Sequence, residues 1–193
     1  LVKYTQANGV TPLFRIEPLN DWGVTDEIIS KNKEAAKKGT PWLNGQYMAY
    51  PSNMKAYLAF VRDIVERYDG DGKEDMPGLK EPILLWEVLN EFDTRWLGPA
   101  KTLTQVFVDV KRTITGACPK AKLMHGGISF PALFAMRDGF IDRDYWFWDG
   151  TPVKPTQAVK SALGARMWKL IKASFEVPPG TFDYMNFHLY GGW

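Results

Sequence analysis

The chain has 193 residues, 45% hydrophobic and 24% charged, with a formal net charge of +2. That suffices for one sizeable core, and the scattered lysines and arginines lack the clustered footprint of a protein that binds nucleic acid or anionic lipid. A lone cysteine, Cys118, excludes an intrachain disulfide and a zinc site built on several thiolates, and no stretch approaches the roughly 18 to 20 consecutive apolar residues of a membrane-spanning helix.

In chain order, Leu1 to Val10 reads as the tail of a helix, without the charged segment and apolar core of a secretory leader. Val10 to Ile16 (VTPLFRI) is a short apolar run of strand length. From Glu17 to Asn53 the sequence predicts a long connection carrying Trp22 and Trp42. A helix follows over Asn53 to Tyr68, with Met54, Tyr57, Leu58, Val61, Ile64, Val65 and Tyr68 on one stripe and Ser52 or Asn53 as its cap. The next loop, DGDGKEDMPGLKEP, spaces Asp69, Asp71 and Asp75 as the oxygen ligands that begin a calcium loop are spaced, but lacks the closing glutamate of an EF-hand. It suits either a solvated acidic turn or a structural Ca2+ site, on the face opposite any chemistry.

Pro82 to Leu89 (PILLWEVL) is the second strand, and a connection from Asn90 to about Pro99 holds Trp96. A helix over Ala100 to Gly116, a strand over Ala121 to Gly127, and a long connection from Ile128 to about Pro155 with Trp146 and Trp148 come next. Pro155 to Phe175 is again helical, and Phe182 to Tyr190 (FDYMNFHLY) is the last strand. Near-continuous apolar strands alternating with amphipathic helices indicate an α/β fold with a parallel sheet covered on both faces. In a (β/α)8 barrel the strand-to-helix loops make the catalytic face, and here those loops are the long ones. They carry aromatics beside glycine and asparagine, flat rings suited to a ligand with apolar faces.

At the C-terminal end of a buried parallel strand, side chains point into the mouth of the sheet, and Asn90 and Glu91 stand there. A carboxylic acid walled by rings such as Trp96 is partly desolvated, which keeps a proton available for a leaving group; that is the chemistry of glycosidic cleavage. Glu87, four residues earlier on the same face, needs a partner once buried, and Arg15 and His125 on the flanking strands are the candidates. Asp183 lies at the start of its strand, on the opposite side from Glu91.

PILLWEVLNEFD resembles the fourth-strand motif of clan A glycoside hydrolases, the retaining (β/α)8 enzymes that include families 5 and 39. AYLAFVRDIVERYDGDGKEDMPGLKEPILLWEVLNEFD resembles their helix 3 to strand 4 unit, AKLMHGGIS their fifth strand and FDYMNFHLYGG their sixth. The resemblance implies a (β/α)8 TIM barrel of which residues 1–193 supply about four β/α units. It also implies Glu91 as general acid/base, Asn90 as the contact to the sugar 2-hydroxyl, and His188 and Tyr190 at the sixth-strand position beside the nucleophile. Strands 1, 2, 7 and 8, and with them the nucleophilic glutamate roughly 5 Å from the acid/base in a retaining enzyme, are expected from the rest of a longer polypeptide or from another chain.

The expected activity is therefore that of a retaining glycosidase on a β-linked polysaccharide or oligosaccharide, with no cofactor for catalysis. Trp22, Trp42, Trp96 and Trp148 are the expected sugar platforms, joined by Trp146 and Trp193, and the resemblance favours an extracellular setting. The competing expectation is a carbohydrate-binding protein without turnover. Other classes are poorly supported, because His125 and His188 lack metal-ligand spacing and there is no GxSxG.

Overall fold

The computed structural model describes residues 1–19, 23–37, 47–129, 145–146, 152–153 and 162–188. Its centre is a three-stranded parallel sheet, β1 (Phe14–Ile16), β2 (Leu85–Val88) and β3 (Lys122–His125), in that spatial order. The fold is thus α/β. Beside β3 runs the segment 183–188, joined by the parallel bridges Met124↔Tyr184 and Ile128↔Phe187. Its backbone bonds, from His125 N–H to the Tyr184 carbonyl (2.9 Å) and from His188 N–H to the Ile128 carbonyl (3.0 Å), keep it in step with β3. Four consecutive apolar runs therefore lie side by side in sequence order. The last departs from the expectation of a strand covered on both faces, since Tyr184, Met185 and Phe187 are exposed.

Among the described residues the helices are α1 (Val2–Ala7), α2 (Asp26–Lys37), α3 (Met54–Glu66), α4 (Phe92–Arg95), α5 (Ala100–Ala117) and α6 (Ala162–Phe175). None is long and apolar enough to cross a membrane. Asn53 caps α3, its Oδ1 accepting the Ala56 N–H at 3.0 Å, and Tyr57, Val61 and Val65 of the expected stripe are fully buried. Helix α5 packs between α3 and α6 and also against β3. The short pair β4 (Tyr145–Trp146) and β5 (Pro152–Val153) is antiparallel.

The long connection from Glu17 to Asn53 contains helix α2, which the sequence reading did not predict. The helix starts where the Thr25 hydroxyl accepts the Ile28 N–H at 3.4 Å, and Lys31 pairs with Glu27 one turn away. Sparse apolar residues hid it from the hydrophobic pattern.

Strand register sorts the sheet into two faces. Arg15, Glu87 and Met124 stand abreast on one, while Phe14, Trp86 and Leu123, then Ile16, Val88 and His125, stand on the other. The second face lies against the helices, with Trp86, Val88, Leu123 and His125 fully buried. The first carries the polar groups.

Candidate active site

The strand ends at the C-terminal edge of the sheet are crowded. Leu89 donates its N–H to the Ile16 carbonyl at 2.9 Å, and Glu91 donates to the Gly127 carbonyl at 3.1 Å, so the chain leaving β2 is bound to both neighbours. Between these bonds the backbone turns left-handed at two non-glycine residues, Leu89 at φ +64° and Glu91 at φ +45°. Each such residue costs on the order of 1–2 kcal/mol. Residues held in such conformations are concentrated at functional sites. The left-handed turn aims the Glu91 side chain across the sheet edge instead of along it.

There the Glu91 carboxylate meets two donors. His188 Nδ1 lies 2.8 Å from Oε1, and Arg95 Nη2, one turn further along α4, donates to Oε2 at 3.1 Å. The Glu91 side chain retains 15% of its accessible surface, so a ligand can still approach it. Beneath it, Asn186 Nδ2 donates to Glu87 Oε1 at 2.6 Å and lies 3.3 Å from His188 Nε2. Glu87, Asn186, His188, Glu91 and Arg95 form one continuous polar chain across the face.

Glu17, just past β1, belongs to the same neighbourhood. Burial raises its carboxyl above the ordinary range, Arg15 and Arg95 draw it down, and the charge of Glu87 adds to the rise. Arg15 Nε is 3.5 Å from Glu17 Oε1. Within α4, Asp93 is fully buried and accepts the Ser129 N–H at 3.1 Å and the Ser129 hydroxyl at 2.5 Å. Burial pushes the Asp93 carboxyl up, and the Ser129 donors oppose this. Arg166 of α6 donates to the Thr94 carbonyl at 3.0 Å, tying the short helix to the long one. The Glu91 loop is anchored on both sides.

The expected site residues fare differently. Glu91 and His188 come together, with Asn90 beside them and only 5% exposed. Trp96 is corrected: it is fully buried, its Nε1 donating to the Pro99 carbonyl at 3.2 Å, and a ring without accessible surface is core rather than a sugar platform. Tyr190, Trp22, Trp42, Trp148 and Trp193 lie outside the described residues, as does the Trp146 side chain. The partner of Glu87 is also corrected. It is Asn186, neither Arg15, which turns to Glu17, nor His125, which faces the helices.

At the far end, Asp183 accepts from Lys111 at 2.5 Å, from the Leu123 N–H at 2.9 Å and from Lys122 at 3.3 Å. Burial alone would raise its carboxyl, but these donors hold it below the ordinary value. Asp69, Asp71 and Asp75 do cluster, with one oxygen of each within 4.8 Å of the others, in the loop after α3. The donor set is all oxygen, as a hard cation prefers. Yet Asp75 already accepts the Gly70 and Gly72 N–H groups at 2.9 and 2.8 Å, and Asp69 accepts that of Asp71 at 3.2 Å.

Sequence reading missed Arg95, Asn186 and the Asp93–Ser129 pair. Two of them had a spacing signal: Arg95 stands at i+4 from Glu91, and Asn186 two residues before His188 on an extended segment. Ser129 had none, because it meets Asp93 only through the fold.

No family model matches the chain, and no curated protein matches it. Among solved structures it is similar to a glucosidase from Croceicoccus marinus, with a TM-score of 0.46 and 20% sequence identity over 73% of this chain and 24% of that one. The chain thus spans about a quarter of that protein's length. So slight a likeness leaves the chemistry to be argued from the residues themselves.

Proposed function

We propose that residues 1–193 are part of a retaining glycoside hydrolase of (β/α)8 architecture acting on a β-linked polysaccharide or oligosaccharide, with Glu91 as general acid/base. The observation that carries this reading is a strained, doubly anchored carboxyl at the C-terminal end of a central parallel strand, still open to solvent and in contact with His188. In its acid role Glu91 gives a proton to the glycosidic oxygen as the bond to the anomeric carbon breaks. In the second step it takes a proton from the water that attacks that carbon. Asn90 donates to the sugar 2-hydroxyl. The nucleophilic carboxylate and the remaining strands come from the rest of a longer polypeptide or from another chain.

The test is Glu91→Gln in the full-length protein, assayed on aryl β-glycosides with good and poor leaving groups. Loss of the acid lowers kcat/KM on the poor leaving group by about 10²–10⁴-fold and much less on the good one. Equal activity of variant and parent on both substrates would sink the reading.

One observation favours a second reading, carbohydrate binding without turnover. Both oxygens of Glu91 carry a donor, an arrangement that also suits a fixed hydrogen-bond acceptor for a sugar hydroxyl. Saturable glycan binding by the full-length protein, with no product released, would select it.

We also propose a structural Ca2+ at Asp69, Asp71 and Asp75, remote from Glu91. Calcium then raises the melting temperature over that in chelator and leaves glycosidase activity at low temperature unchanged. Coincident melts with Ca2+ and with chelator would reduce the loop to a hydrogen-bonded turn.

A further inference from the structure

The polar chain across the sheet face has a proton order that can be deduced from its ends. Glu87 Oε1 is an acceptor 2.6 Å from Asn186, so the amide nitrogen, not its oxygen, must face Glu87. The same nitrogen lies 3.3 Å from His188 Nε2 and has a second hydrogen to give. Nε2 therefore accepts, and in a neutral ring the proton sits on Nδ1, aimed at Glu91 Oε1 2.8 Å away. The reverse tautomer would set the Nε2 hydrogen against the amide hydrogens. Flipping the amide would set its oxygen against Glu87. Of these arrangements only the first gives each of the three contacts, Glu87–Asn186, Asn186–His188 and His188–Glu91, one donor and one acceptor.

The ring is also held in place sterically. It lies over Gly127, where a Cβ atom would stand 2.3 Å from His188 Nε2. With Gly127 behind it, Asn186 below and Glu91 in front, the imidazole has little freedom to turn.

We infer that Asn186 is a positioning residue: oriented by Glu87, it fixes His188 in the Nδ1–H tautomer and so directs a hydrogen bond onto Glu91. Asn186 touches neither substrate nor reacting atoms in this role. The inference deepens the glycosidase reading and rests on it only for its consequence in catalysis, because the tautomer is a property of the resting protein.

The experiment is long-range 1H–15N correlation of the histidine rings in the full-length protein at neutral pH, with His188 assigned by its loss in His188→Gln. The parent is expected to show His188 with its proton on Nδ1. In Asn186→Asp, a carboxylate replaces the amide and both ring nitrogens face acceptors, so His188 is expected to carry hydrogen on both. In Asn186→Leu, Nε2 loses its donor and the Nδ1–H pattern is expected to weaken toward a mixture.

His125 serves as the folding control, because its own ring signals should be unchanged in each variant. An Nε2–H tautomer in the parent overturns the inference whether or not any variant folds. An unaltered His188 pattern in a folded Asn186→Asp protein overturns it too. The Nδ1–H tautomer in a protein without glycosidase activity would uphold the positioning and remove only the catalytic reading.

Discussion

The chain's two histidines lie on opposite faces of the same sheet and have opposite fates. His125, on β3, points into the helical layer, where Phe92, Phe107, Phe175 and Phe182 surround it with ring centroids 4.9–5.9 Å away. Its Nε2 meets the Ser174 hydroxyl at 3.0 Å, and that hydroxyl donates onward to the Ile171 carbonyl, so Nε2 carries the proton. His188, on the neighbouring segment, sits among Glu91, Asn186 and Glu87. An imidazole behaves as an aromatic core residue on one face and as part of an ordered polar chain on the other. Surroundings, not residue type, assign the role.

The largest test of this contrast is Glu91→Gln, which removes the ionisable group facing His188 and, on the glycosidase reading, the acid. The expected loss of 10²–10⁴-fold on poor leaving groups is about 3–5 kcal/mol in the barrier. His125→Phe should leave kcat unchanged in the same assay. Comparable losses in the two variants would erase the distinction between the faces.

Next in size is the pH dependence of stability. Burial pushes His125 down from 6.5 to about 4, so the folded protein keeps the ring neutral where the unfolded chain takes up a proton. The contribution is therefore full above pH 6.5, is lost as pH falls, and is gone below about 4. On the order of 3 kcal/mol is at stake. Urea unfolding at pH 7 and pH 4.5 measures it. His125→Phe should flatten the difference, whereas a variant as acid-sensitive as the parent would place the cause elsewhere.

The contrast also marks what was legible beforehand. The strands could be read because β2 and β3 carry apolar runs bounded by turn residues, and α3 because its stripe repeats at helical spacing over Met54 to Tyr68. Glu91 stood out because a carboxylate closing an apolar strand is costly without a purpose. Helix α2 did not stand out, since it lies largely on the surface and starts from a single threonine cap. Trp96 misled because an indole among polar loop residues reads like an exposed platform, whereas the chain at Met48 closes over it through paired backbone bonds, Met48 N–H to Arg95 and Leu97 N–H to Met48. Asn186 was invisible for a different reason: its meaning depends on Glu87, 99 residues away in sequence.

The smallest expected effect on folding, and the sharpest on the site, comes from Gly127, the second of two adjacent glycines after β3. A Cβ at Gly126 would stand 2.0 Å from the Val88 carbonyl oxygen and 2.8 Å from the Leu89 carbonyl carbon, both backbone atoms at the end of β2 that cannot yield as a side chain can. A Cβ at Gly127 would meet the His188 ring, which can shift. Gly126→Ala should therefore disrupt the sheet edge as a whole. Gly127→Ala should fold at a cost of about 1–3 kcal/mol while moving His188 off Glu91. Its expected signature is a cooperative unfolding transition beside weakened catalysis, read by denaturant melts and by kcat on a poor leaving group. Because His125 is on the other face, the acid sensitivity of Gly127→Ala should match that of the parent. A Gly127→Ala protein with full activity would mean that Glu91 works without the imidazole in its present place, and would confine the importance of His188 to holding the strand ends together.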